Sequence, residues 1–168
     1  MDKTPVYLFS ADYAYKHNET DQYRASCDAD LSCKRAIESS ISEHYSDNRL
    51  HSEDAVKQVL NRYGYDRVFH VLAETVRAKD WDGRISRDNK KWAKTIPASE
   101  DSHIGHTCVV DQCNPGLTDL FLNQVRHEYA TPKALSLDTK LYSAKEEAQR
   151  ENNKHISLPN DHVHGKEL

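Results

Sequence analysis

Long apolar runs are absent from this sequence of 168 residues, and so is any marked excess of charge of one sign. No stretch reaches the length of about 18 apolar residues that a membrane-spanning helix needs. The N-terminal residues also lack the apolar segment of a signal peptide. We therefore expect a cytoplasmic protein that does not enter a membrane, with its four cysteines present as reduced thiols or as metal ligands.

Glycine is scarce as well, and the familiar enzyme signatures are missing. The five glycines do not cluster, so a glycine-rich phosphate loop is excluded. Neither Gly-x-Ser-x-Gly nor His-Glu-x-x-His occurs in the chain. These absences argue against the commonest enzyme classes, and we expect no cofactor.

Charges of the two signs nearly balance. The 23 Lys and Arg residues face 27 Asp and Glu residues, which gives a formal net charge of −4. Such a chain does not coat nucleic acid through bulk positive charge, so any nucleic-acid contact must come from a local patch. Nine Tyr and two Trp residues supplement a modest number of aliphatic side chains, which indicates a small core under a large polar surface.

The spacing of the apolar residues predicts a mainly α fold, in the form of a compact helical domain with at most a short β element and a polar C-terminal tail. The domain is expected to cover residues 1–129. The charge-balanced tail, residues 130–168, is expected to be flexible or loosely helical. Helices are predicted at 11–17, 19–45, 52–63, 66–79 and 115–129, and strand-like stretches at 6–9 and 107–110.

Individual side chains set several of these boundaries. Ser10 and Ser52 are suited to cap helix N-termini, and Gly64 is suited to end one helix and form a hinge before the next. Asp28 and Asp30 lie where the four-residue steps of apolar side chains slip, which predicts a kink in the long helix. The core is expected to include Val59, Leu60, Val68, Leu72 and Val76.

The segment 80–92 has the most unusual composition, with two Trp, three Asp and four cationic residues. Asp80, Asp82 and Asp88 offer oxygen ligands for a metal, but the calcium-loop pattern lacks its third ligand before glycine and its final Glu. A turn at the Asp-Gly pair and a short helix capped by Ser86 explain much of the segment without a ligand. We therefore expect this turn to be structural.

The cations that follow the turn are expected to be exposed and to bind an anion, either an RNA phosphate or an acidic loop of a partner. Trp92 is expected to face the core, while backbone N–H groups at the start of the short helix favour a negative charge. The predicted binding residues, with the first available for stacking on a base, are Trp81, Arg84, Arg87, Lys90 and Lys91.

A second cluster contains four possible zinc ligands within eleven residues: His103, His106, Cys108 and Cys113. The spacing matches no common zinc module, because the chain has no Cys-x-x-Cys pair there. The alternative is a polar surface loop with Cys108 buried beside two valines, and no metal site is favoured. Cys27 and Cys33 lie six residues apart on helical sequence, on roughly opposite faces, so they should share neither a disulfide nor a metal.

Several segments together resemble an uncharacterised bacterial family, the domain of unknown function 3849. The resemblance covers residues 5–97 and extends to the helix at 117–126, with Asp-Gly-Arg-x-Ser as its most specific block. The matching segments are Pro5-Val6-Tyr7, Ser10-Ala11-x-Tyr13-Ala14, Tyr23-Arg24-Ala25-Ser26, Cys33-Lys34-x-Ala36-Ile37, and Asp80 to Ala93. The family implies no catalytic residues.

The resemblance also implies a role in genetic conflict, since the family occurs on plasmids, prophages and conjugative elements. We expect a non-enzymatic anti-CRISPR-type inhibitor that binds a Cas9-like nuclease or its guide RNA. An anionic face could occupy the positively charged channel of such a nuclease; its candidate residues are Glu38, Glu43, Asp47, Glu53 and Asp54. Two alternatives are a metal-dependent enzyme acting on nucleic acid, through Asp82, Asp88 or His103 with His106, and an adaptor or regulator of a conjugative element.

Overall fold

The computed structural model describes residues 2–101, 108–111 and 114–156. It confirms the mainly α fold, and within these residues the β structure is limited to one pair of two-residue strands. In chain order the elements are α1 (Ala11–Lys16), α2 (Thr20–Glu43), β1 (Tyr45–Ser46), β2 (Arg49–Leu50), α3 (Ser52–Ala78), α4 (Arg87–Ala93) and α5 (Pro115–Ile156).

Local capping signals are confirmed at two helix starts and wrong at a third. The Ser10 side chain accepts a hydrogen bond from the backbone N–H of Tyr13 and begins α1. Ser86 does the same for Asn89 at the start of α4. Ser52, by contrast, is the first residue of α3, and the cap position is taken by His51, whose side chain makes no capping bond. The backbone N–H of His51 is held by the carbonyl of His44 across the hairpin, so the chain enters the helix directly from β2.

The predicted kink in α2 is wrong, because the helix runs without a break from Thr20 to Glu43. Its core face repeats in four-residue steps through Ala29, Cys33, Ile37 and Ile41, all of them buried. The Asp30 carboxylate pairs with Arg67 on α3, so it does not compete for the backbone of its own helix.

A short hairpin lies where the sequence analysis placed the end of a helix. Tyr45 pairs with Leu50, and Ser46 with Arg49, in antiparallel register. The connecting residues Asp47 and Asn48 have φ values of 52° and 58°, as a tight two-residue hairpin turn requires.

Neither predicted strand is found among the residues that the structure describes. Residues 6–9 and the described residues of the second stretch, 108–110, have no strand structure. Residues 6–9 instead make hydrogen bonds that do not form a strand ladder. The backbone N–H of Tyr7 donates to the Ser26 hydroxyl, and the carbonyl of Leu8 accepts from the backbone N–H of Glu100.

Gly64 forms the predicted hinge within α3. Its φ of 75° and ψ of 169° break the helical geometry between the halves 52–63 and 65–78. Side-chain contacts define how α3 lies on α2: the Ser40 hydroxyl donates to the carbonyl of Ala55, and Ser32 bonds Tyr63. Ser40 lies later on α2 than Ser32, but it contacts Ala55, which lies earlier on α3 than Tyr63. The two helices therefore run antiparallel.

The core lies mainly between α2 and α3, and residues 117–125 of α5 pack against them. Four of the predicted core residues, Val59, Val68, Leu72 and Val76, are buried. Leu60 is only half-buried and packs against this cluster. Phe121, Leu122 and Val125 of α5 complete the core.

The helix α5 begins at Pro115, as predicted, and continues to Ile156, beyond the expected end near residue 129. The chain divides into two compact units after Glu128, and the contacts below all belong to the first. The assignment of a domain to 1–129 and a tail to 130–168 stays a prediction. Among the described residues, no helix is both long and apolar enough to cross a membrane.

Candidate functional site

The turn after α3 is built around the Asp82 carboxylate. Asp82 is buried and accepts hydrogen bonds from the backbone N–H of Arg84 at 2.9 Å and from Nε of the same residue at 3.1 Å. A second guanidinium nitrogen lies 2.8 Å from the other carboxylate oxygen. These bonds to Arg84 lower the pKa of Asp82 to about 2. The Asp-Gly turn is therefore a structural device, as the sequence predicted.

A buried polar network joins α4 to α5. The Asp119 carboxylate accepts from the backbone N–H of Ser86 at 3.0 Å and from the side-chain amide of Asn89 at 2.7 Å. Asn89 is fully buried, donates also to Asn123, and accepts from Arg126 at 2.7 Å. Asp119 thus occupies the start of α4, where the sequence analysis placed a ligand anion.

The structure places Trp81 at the surface with 81 % of its area exposed. It follows α3 on a turn closed by the bond from Asp82 N–H to the carbonyl of Lys79. Tryptophan is usually buried in large part, so an exposed one on a braced turn stands out. Trp81 is thus presented to solvent on a rigid support.

The four predicted cations differ in their surroundings. Arg84 is engaged by Asp82, although 56 % of its side chain stays exposed. Arg87 and Lys91 are exposed and Lys90 is partly exposed. Within the part of the chain that the structure describes, none of these last three forms an ion pair. Arg84 is thus a brace as well as a surface group, and Arg87 and Lys91 are the most accessible of the other cations.

Trp92 packs toward the interior, as predicted. Its ring meets Phe69 edge-on at 5.2 Å between centroids, and the Arg126 guanidinium lies 5.7 Å from its ring centre. The two tryptophans of the segment therefore divide in role, with Trp92 holding α4 to the core and Trp81 facing solvent.

The local charge of this surface is opposite to that of the whole chain. Residues 79–94 contain six Lys or Arg and three Asp, in a protein of net charge −4. Two of the three aspartates are already neutralised locally: Asp82 by Arg84, and Asp88 by Arg126 at 2.7 Å. We call the set Trp81, Arg84, Arg87, Lys90 and Lys91, of which Lys90 is only partly exposed, the Trp81 surface.

Residues considered for metal chemistry are not brought together in the described structure. His103, His106 and Cys113 lie outside the described residues, and Cys108 alone can be placed. Among the residues that are described, no group of three His, Cys, Asp or Glu side chains is arranged to hold a metal ion. The engagement of Asp82 and Asp88 in ion pairs also leaves them poorly suited as ligands.

The thiols that can be placed are not activated nucleophiles. Burial raises the pKa of Cys108 to about 11 and that of Cys33 to about 12. Burial also raises the pKa of Cys27. All three are free cysteines, and a raised pKa keeps a thiol in its protonated form near neutral pH.

Sequence reasoning missed a buried charged cluster between α2, α3 and the N-terminal segment. The Arg67 guanidinium pairs with Asp30 and donates to the carbonyls of Thr4 and Pro5, both at 3.0 Å. His70 Nε2 lies 3.5 Å from the other Asp30 oxygen. The sequence does show that Arg67 is a charged residue next to Val68, which belongs to an apolar stripe. The sequence does not show its partners, because they lie 37 to 63 residues away.

Comparison with known proteins gives a family match. The profile of a family described as "Protein of unknown function (DUF3849)" matches residues 6–130. No curated protein and no solved structure matches this chain.

Proposed function

We propose that the chain, which belongs to the DUF3849 family, acts by binding and not by catalysis, as an inhibitor of a CRISPR nuclease of the Cas9 type. The observation that carries this proposal is the Trp81 surface: a tryptophan 81 % exposed on a braced turn, in the same short segment as Arg87 and Lys91, which are exposed and form no ion pair with the described residues. Tryptophan and arginine are the residues most enriched where binding energy concentrates in interfaces.

The chemistry of this surface suits a nuclease loaded with guide RNA. An exposed indole stacks on an unpaired base, and the neighbouring cations contact phosphates. The turn is fixed by Asp82 and the start of α4 by Asp119, so little conformational freedom is lost on binding.

An acidic face elsewhere in the domain supports the same role. Glu43, Asp47, Glu53 and Asp54 are exposed around the hairpin between α2 and α3. Glu38 takes less part, because it is half-buried and accepts from the backbone N–H of Asp111. The exposed four would compete with nucleic acid for the basic channel of the nuclease. Carriage of such a protein on plasmids and prophages would protect these elements from cleavage.

The test is plasmid interference by Cas9 in cells with and without this protein, together with binding to the purified nuclease in the presence and absence of guide RNA. We expect the protein to restore plasmid survival, and Trp81→Ala to weaken both effects about tenfold or more, the loss typical of an interface hot spot.

Tyr15→Ala is the matched control, since Tyr15 is another aromatic residue with 77 % of its area exposed, on α1. It should leave binding and plasmid survival unchanged. Wild-type protein that neither binds the loaded nuclease nor protects the plasmid would refute the inhibitor. Equal loss in both variants would show that the Trp81 surface is not the contact.

A further inference from the structure

A second site lies on another part of the domain, in a cleft of about 550 Å³ between α2 and the first half of α3. Its size falls in the range of small-molecule sites, about 300–1,000 Å³. Residues of the Trp81 surface take no part in its lining.

The cleft has a fixed apolar floor. Leu31, Ala36 and Val59 line it together with Tyr63. The Tyr63 ring is almost fully buried, and its hydroxyl is bonded to Ser32 at 2.6 Å. A floor held in this way is preformed, as ligand sites commonly are.

Two arginines line the cleft from its two walls. Arg35 comes from α2 and Arg62 from α3, and both are exposed. The bond between Ser32 and Tyr63 sets the register of these helices, so the two arginines lie within about one helical turn of each other along the axis. The Arg62 guanidinium is 5.2 Å from the centre of the Tyr63 ring.

Neither arginine has an acidic partner in the described part of the chain. The carboxylates that line the cleft, Asp28 and Glu43, belong to α2 and lie seven and eight residues from Arg35. At about 1.5 Å per residue, these are separations of roughly 10–12 Å along the helix. The cleft therefore carries positive charge in its middle and negative charge toward its ends.

We propose that this cleft binds a small phosphomonoester, with the phosphate held between Arg35 and Arg62. A carboxylate is satisfied by one guanidinium fork, whereas a phosphomonoester near pH 7 carries a charge close to −2 and three acceptor oxygens, enough for two. The remainder of the ligand lies on the apolar floor, and its hydroxyl or amino groups donate to Asp28 or Glu43. This site goes beyond the proposed inhibitor function and does not depend on it.

The experiment is an NMR titration of the full chain with adenosine monophosphate, inorganic phosphate, adenosine and acetate. We expect adenosine monophosphate to shift backbone signals of Ser32, Arg35, Ser39, Gln58 and Arg62. Phosphate alone should shift the signals around the two arginines, while adenosine and acetate should bind at least tenfold more weakly. Replacing both arginines, in Arg35→Gln with Arg62→Gln, should weaken binding of the monophosphate about tenfold or more, since charge-assisted hydrogen bonds are lost.

Arg24→Gln is the matched control, because Arg24 is an exposed arginine of α2 outside the cleft. It should change the affinity by less than about twofold, the scatter expected for a distant surface change. The single variant Arg35→Gln keeps the test informative if loss of Arg62 from the Tyr63 ring disturbs the fold. The proposal is overturned if adenosine monophosphate fails to bind, if its shifts map to the Trp81 surface, if acetate binds equally well, or if Arg35→Gln and Arg24→Gln bind alike.

Discussion

At the scale of single residues, one buried carboxylate organises the surface that we propose for binding. Asp82 accepts a backbone N–H and two guanidinium nitrogens of Arg84, and these bonds fix the turn on which Trp81 sits. The ion pair is half open to solvent on the arginine side, so its contribution to stability is small and depends on salt. Its clearest signature is therefore the dependence of stability on pH.

The Asp82 pair should make the protein more sensitive to acid. The pKa of Asp82 is lowered to about 2 from its ordinary value of 3.8, so the folded state favours the ionised form. The resulting stabilisation is complete above the ordinary pKa and is lost as the pH falls toward 2. Asp82→Asn should lower the melting temperature at pH 5–6, and the difference from wild type should shrink as the pH falls from 4 to 2.

Circular dichroism melts across this pH range measure the effect. Asp80→Asn removes a neighbouring exposed carboxylate and serves as the control for loss of charge. A difference between Asp82→Asn and wild type that does not change with pH would show that the ion pair is not the source of the stabilisation.

Residue roles could be predicted where the partner is close in sequence. Ser10 and Ser86 each cap a helix by accepting a bond from the residue three positions later, and the turn at Asp82 closes within two residues. Both the caps and the turn were therefore predictable from the local sequence. Arg67 and Asn89 were not assigned, because their partners come from distant segments that only the folded chain brings together. Asn89 lies in the unusual segment 80–92, but the sequence does not show that its side chain donates to Asp119.

At the scale of elements, Gly64 determines how α3 is divided. With φ of 75° and ψ of 169°, it occupies a region of backbone conformation that is open essentially to glycine alone. The break lets the two halves of α3 follow α2 with different faces, so that Tyr63 reaches Ser32 and Arg67 reaches Asp30. The hinge therefore also positions the α3 wall of the cleft that we propose binds a phosphomonoester.

Gly64→Ala should destabilise the protein by about 1–3 kcal/mol, the cost of holding a side chain in that conformation. Gly83→Ala is the control, since a methyl group added at Gly83 would meet no neighbouring atom within 4 Å and the φ of this residue is not positive. Its stability should stay within about 0.5 kcal/mol of wild type. Urea unfolding measures both changes, and equal stability of the two variants would contradict the strain at Gly64.

Element boundaries were predictable only where one strong local signal decided them. Gly64 and Pro115 mark a hinge and a helix start, and both were found from the sequence. The kink expected near Asp28 and Asp30 was wrong because Arg67 neutralises Asp30 from another helix. The hairpin at 45–50 was missed because two-residue strands give no alternating pattern, and its turn uses Asp-Asn in place of the stronger Asn-Gly signal.

At the scale of the whole molecule, charge is divided between separate surfaces. The segment 79–94 is positive, whereas Glu43, Asp47, Glu53 and Asp54 form an acidic rim around the hairpin. Net composition alone predicts neither surface, because the total of −4 hides both. The sequence did identify the unusual segment 80–92, but it could not separate Arg84, which braces a turn, from Arg87 and Lys91, which form no ion pair with the described residues.

Binding and folding should therefore be separable within this one segment. Arg87→Ala with Lys91→Ala removes exposed charges, so its free energy of unfolding should stay within about 0.5 kcal/mol of wild type for each substitution. The same variant should bind the nuclease loaded with guide RNA more weakly, and its affinity should depend less on salt, because fewer phosphates are contacted.

Trp92→Ala should instead lower stability by about 3 kcal/mol, since the ring packs on Phe69 and under Arg126. The fraction of this variant that stays folded should bind normally. Urea unfolding and binding at two salt concentrations measure both quantities in each variant. If the double cation variant loses several kcal/mol of stability, Arg87 and Lys91 are internal braces like Arg84. If its salt dependence of binding equals that of wild type, the Trp81 surface does not contact phosphate.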